Sequence, residues 1–186
     1  MSWRVTYTAT EKSQVSRAYN LTADGVFAKP PAIASTPKLE LRHASGSLIR
    51  LGQGSEFSLI DSPFGLRPQI YGEGYVAADR EGGKYRTSCW TMPLPTSQTC
   101  DYFIRPKSEE TSDQYFALRG DLTIIEFDSS SNPYVIACCK EGKMTEVQYK
   151  ESETGPGRYS SSDMADIKDE DFEYILNEYV DSRKWR

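Results

Sequence analysis

Histidine is almost missing from this chain, with His43 the single example in 186 residues. A metal centre built from several imidazoles is thereby excluded, and a triad around His43 would need a nucleophile and an acid that the sequence does not place. His43 ends the run Leu41-Arg42-His43 in phase with Leu39 and Leu41, the position of a satisfied structural histidine. Cysteine is sparse as well. Cys89, Cys100, Cys138 and Cys139 lack the paired C-x-x-C spacing of a zinc ribbon or a redox dithiol, and the vicinal pair points to opposite faces of a strand. No metal and no cofactor is expected from this set. Cys89 and Cys100 flank Pro93-Leu94-Pro95-Thr96 and are a candidate disulfide across a hairpin, against a default of buried free thiols in a reducing compartment.

Long apolar runs are missing too. Met1-Ser2-Trp3-Arg4 leads into polar sequence without a signal core, and no stretch of roughly 18 apolar residues follows. The expectation is no membrane insertion and a cytoplasmic location for the chain as it stands. A basic excess is likewise absent, with 22 Lys and Arg against 27 Asp and Glu. From Asp163 onward eight acids face four bases, which leaves the rest nearly neutral. Neither part offers the basic stripe that displaces counterions from phosphates, so no nucleic-acid partner is expected.

What the chain does have is tyrosine, twelve of them, beside a hydrophobic fraction of only 38%. That composition suits short, half-buried strands. Leu39 and Leu41 alternate with Glu40 and Arg42; Ser47 to Leu51 runs between glycines, and Glu56 to Ile60 ends at Asp61-Ser62-Pro63. The same period recurs at 69–78, 84–91, 101–105, 115–118, 122–127, 134–139 and 145–149. Gly82-Gly83, Pro93, Pro95, Gly120-Asp121, Ser129 to Pro133 and Glu141-Gly142 separate most of them. Such a rhythm predicts a mainly β fold, a sandwich or β-roll of many short strands, over residues 1–150.

Gly52-Gln53-Gly54, Gly72-Glu73-Gly74 and Gly82-Gly83-Lys84 lack the flanking elements of nucleotide-binding loops and read as turns. Arg119-Gly120-Asp121 and Asn20-Leu21-Thr22 spell short recognition strings that arise readily by chance. Residues 151–162, with Gly155-Pro156-Gly157 and three successive serines, read as a linker. Residues 163–186 then form an acidic amphipathic segment, with a short C-terminal α-helix over about Asp166 to Trp185. Its apolar positions Phe172, Ile175, Leu176 and Tyr179 fall at i, i+3, i+4 and i+7, on one helical face. That stripe either packs on the protein's own β body or docks a partner.

Ala44-Ser45-Gly46-Ser47-Leu48-Ile49-Arg50-Leu51-Gly52-Gln53-Gly54-Ser55-Glu56-Phe57 carries a polar Gly-Ser turn, a strand ending in Leu, a second turn and another strand. Ile70 to Ala77 and Gly82 to Thr87 add a Gly-Glu strand and a strand ending in Thr. Leu118 to Ile124 and Lys140 to Thr145 add a Gly-containing strand start and a Glu-Gly hairpin. Over about residues 39–150 this order resembles the FecR-type domain of bacterial cell-surface signalling proteins. The resemblance implies a β fold, a non-enzymatic role in signalling or ligand sensing, and a periplasmic location if a signal or anchor has been removed. The function expected is therefore a β-rich interaction module that binds a protein partner, or a second copy, through the C-terminal helix or strand edges. The alternatives are a small-molecule-binding β-barrel lined by Tyr and Trp, and a hydrolase using dispersed acids such as Glu73 or Asp79.

Overall fold

The computed structural model describes residues 3–6, 34–35, 39–43, 46–52, 54–60, 67–79, 91–96, 98–107, 111–152, 154–155, 157–181 and 183. Among them the chain is mainly β, and its strands in order are β1 (Trp3–Thr6), β2 (Ala34–Ser35), β3 (Leu39–His43), β4 (Leu48–Leu51), β5 (Glu56–Ile60), β6 (Arg67–Tyr71), β7 (Gly74–Asp79), β8 (Met92–Pro95), β9 (Thr99–Pro106), β10 (Ser112–Arg119), β11 (Leu122–Phe127), β12 (Pro133–Cys139), β13 (Lys143–Lys150), β14 (Arg158–Ser161) and β15 (Ala165–Asp166). One short helix closes the chain, with α-helical α1 (Asp169–Ile175) continuing into a π turn (Leu176–Val180).

The strands form one large antiparallel sheet in the order β1-β3-β4-β7-β9-β10-β13-β14, with β15 also on β13. Two three-stranded sheets, β12-β11-β8 and β2-β5-β6, complete the set. Part of the stretch read as a linker is thus sheet, because β14 pairs with β13 from Val147↔Ser161 to Lys150↔Arg158. The expected strand at 84–91 lies outside the described residues up to its last position, Thr91.

Antiparallel register lines up residues of equal parity across the large sheet, so each face carries its own row. One row is Leu41, Ile49, Val76, Tyr102 and Ala117, all buried. It joins Leu122, Ile124, Ala137 and Cys139 of the small sheet in a sandwich-like core. The interior is filled by side chains, Tyr102 and Tyr115 among the largest.

The opposite row runs Glu40, Arg50, Tyr75, Phe103, Phe116, Met144 and Ala165. Its aromatic middle packs against Ile175 and Tyr179, so the helix lies along the row and across the strands. A helical stretch of twelve residues is about 18 Å long. Five neighbouring strands span roughly 19 Å, so one short helix covers the aromatic middle of the row and not its whole length. No helix among the described residues is long and apolar enough to cross a membrane.

Candidate functional site

The helix is placed by polar contacts at both of its ends. At the far end Arg50 Nη1 donates to the carbonyls of Tyr179 (2.6 Å) and Val180 (3.0 Å), which the helix cannot satisfy itself. Arg50 is buried, and its Nε meets Glu40 Oε2 at 2.9 Å. A buried cation held by a buried carboxylate is tolerable only when its remaining donors find partners, and the two carbonyls take those of Nη1. The π turn is closed by Asp181 N donating to Leu176 O at 2.9 Å. Nearer the start, Arg105 Nη1 donates to Asp171 Oδ1 at 2.7 Å while its Nε stands 3.4 Å from Glu73 Oε1. The same guanidinium lies over the rings of Phe116, Tyr174 and Phe103 at 5.1, 5.4 and 5.6 Å, where the ring faces attract it.

Glu73 is the centre of the seam. It sits in the turn before β7, and its Oε2 accepts hydrogen bonds from Tyr174 Oη (2.7 Å) and Tyr179 Oη (2.9 Å). Burial, followed by the nearby negative charge of Glu73, pushes the Tyr179 phenol well above its usual range, so it stays a neutral donor. Tyr174 moves the same way for the same first cause.

The turn itself is stitched to its neighbour. Gly52 N donates to Glu73 O at 3.0 Å, and Ser55 Oγ donates to the same carbonyl at 3.0 Å. Gly72 adopts φ +124°, and a Cβ there would strike Ser55; a Cβ on Gly52 would strike the Tyr179 hydroxyl. Two glycines read as turn formers are thus also clearance for a hydroxyl and a tyrosine. Between these turns and the helix lies a pocket of about 400 Å³, whose walls include Gly54, Ser55, Glu73, Pro106, Tyr174 and Glu178.

The side chains that face the body are Asp171, Tyr174, Ile175, Glu178 and Tyr179, at i, i+3, i+4, i+7 and i+8. Ile175 and Tyr179 are buried on the protein's own sheet and Tyr174, itself 39% exposed, is tied to it through its hydroxyl, whereas Phe172 and Leu176 remain 40% and 39% exposed. The docked face is therefore turned by one residue from the apolar stripe. Apolar periodicity misses this phase because two acids and a tyrosine of the docked face meet Glu73, Arg105 and the pocket.

The other candidates lie apart. Asp79 closes β7 opposite Thr99. His43 is buried at the end of β3. Cys100 and Cys139 are buried, with thiols pushed up to about 12 and about 11 chiefly by desolvation, while Cys138 is exposed. Cys89, the other half of the candidate disulfide, lies outside the described residues, as does Asn20-Leu21-Thr22. The charges of Arg119-Gly120-Asp121 are engaged internally: Arg119 Nη2 meets Asp101 at 2.9 Å, and Asp121 binds Lys140 Nζ (2.7 Å) and the Glu141 amide (2.9 Å). Among the described residues no group of three or more His, Cys, Asp or Glu is arranged around a metal position. No family model matches the sequence, and no curated protein matches it.

Proposed function

We propose that this chain is a non-enzymatic interaction module whose C-terminal helix, clamped on the β body, presents Phe172 and Leu176 to a protein partner. The supporting observation is the split of the helix. One face is spent on Glu73, Arg105 and the aromatic row, and the apolar pair at i, i+4 on the other face stays exposed beside Asp169 and Glu173. An apolar i, i+4 pair on a held helix is the reading surface of helix-in-groove recognition, and acids beside it suit a groove with a basic rim. The resemblance over 39–150 to FecR-type domains points to the same kind of role, signalling through contacts rather than turnover. Proximity labelling in native cells tests it, with the wild-type chain beside a Phe172→Ser, Leu176→Ser variant of unchanged melting temperature. A neighbour lost in the variant is expected; identical neighbour sets for the two chains would sink the proposal.

The pocket of about 400 Å³ favours a second reading, small-molecule binding, at the seam rather than inside a barrel. Native mass spectrometry of freshly purified protein tests that reading, which needs a co-purifying mass lost on Gly54→Trp substitution at the pocket wall.

A further inference from the structure

The seam pocket draws its walls from two parts of the molecule, Gly54, Ser55 and Glu73 on the body and Tyr174, Glu178 and Tyr179 on the helix. Anything seated there touches both. The three hydroxyls of the wall already donate inside it, Ser55 Oγ to Glu73 O at 3.0 Å and the phenols of Tyr174 and Tyr179 to Glu73 Oε2 at 2.7 and 2.9 Å. Gly52 N and Ser55 N are used as well, on Glu73 O and Gly52 O, and Pro106 has no N–H. No side chain lining the pocket has a donor left to give. What its side chains offer is acceptors, the carboxylates of Glu73 and Glu178 and the lone pairs of the hydroxyl oxygens.

Charge points the same way. Arg105, beside Glu73 but outside the wall, is divided between Glu73 at 3.4 Å and Asp171 at 2.7 Å, and Glu178 adds a third carboxylate to the seam. The helix is also adapted here: Tyr174 and Tyr179 stand five positions apart, which an unbroken α-helix would turn roughly 140° from one another. The π turn over Leu176–Val180 narrows that angle so that both phenols reach one carboxylate oxygen, and π turns recur at functional sites. An anion in this pocket would meet two carboxylates and no side-chain donor, and an apolar guest would strip water from them with nothing in return. A guest that fits has to bring N–H donors and a positive charge. Building on the seam pocket as a small-molecule site, we infer that its ligand is a small protonated organic amine, held by Glu73 and Glu178, which fastens the helix to the body. At about 400 Å³ the space is near the small end of ligand pockets and suits an amine of few carbons. One carboxylate lies on the helix and the other in the turn before β7, so the amine favours the docked state by mass action.

Three probes of equal chain length, cadaverine, pentanediol and glutarate, separate charge from shape. Cadaverine is expected to slow amide exchange over 169–180 and to raise the melting temperature as its concentration rises, while the diol and glutarate leave both unchanged. Glu178→Gln, of nearly the same shape, should weaken that response about tenfold, and Gly54→Trp should abolish it. Equal responses to all three probes, or a cadaverine response that survives both substitutions, overturn the inference. Silence toward all three overturns it too. Native mass spectrometry then decides the rest: a neutral or acidic co-purifying mass lost on Gly54→Trp leaves the pocket reading standing without the amine, and no such mass brings down both.

Discussion

At Gly52 the cost of one methyl group can be anticipated, because a Cβ there meets the hydroxyl that Tyr179 gives to Glu73. Gly52→Ala should cost about 1–3 kcal/mol, the usual range for overpacking, read as a lower urea midpoint at unchanged slope. Cysteine reactivity divides just as sharply. Cys139, with its thiol pushed up to about 11, has a thiolate fraction on the order of 0.001 at pH 8, whereas Cys138 is exposed. Brief alkylation followed by peptide mapping should label Cys138 and spare Cys100 and Cys139; equal labelling of all three would contradict the burial described. The strand residues were legible in the sequence because alternation is local. Glu73 was visible only as an acid in a turn, since the tyrosines it binds lie 101 and 106 positions away and nothing local announces them.

The helix carries a sharper lesson about what a pattern contains. Its existence follows from the i, i+3, i+4 spacing and the acids of its first turn, Asp169, Glu170 and Asp171, which suit the positive end of the helix dipole. Its phase does not, because counting only apolar residues assumes an apolar seat. The actual seat is an aromatic row with a buried Glu40–Arg50 pair at one end and Glu73 with Arg105 beside it. Two substitutions separate the phases. Ile175→Ala, at a fully buried position, should cost about 2–5 kcal/mol, while Phe172→Ala should stay within about 0.5 kcal/mol. Comparable losses at both positions in denaturant unfolding would restore the apolar stripe as the docked face.

For the molecule as a whole, the two helix tyrosines tie stability to alkaline pH. A phenol whose pKa is raised on folding stabilises fully below its unfolded value near 10, and that contribution is lost as pH rises from there through the folded value. Stability should therefore fall above about pH 10, and Tyr179→Phe should flatten that fall; an unchanged slope in the variant would remove Tyr179 as its source. The large sheet is built from strands spread from Trp3 to Asp166, and the side chains that cover its aromatic row, Ile175 and Tyr179, follow all of those strands in sequence. During synthesis the earlier strands emerge first, and Tyr75, Phe103 and Phe116 remain bare until Ile175 and Tyr179 leave the ribosome. Residues 169–180 thus act as a completion signal for the sheet, and a chain cut short by translation before them would be marked by the greasy surface it could not cover.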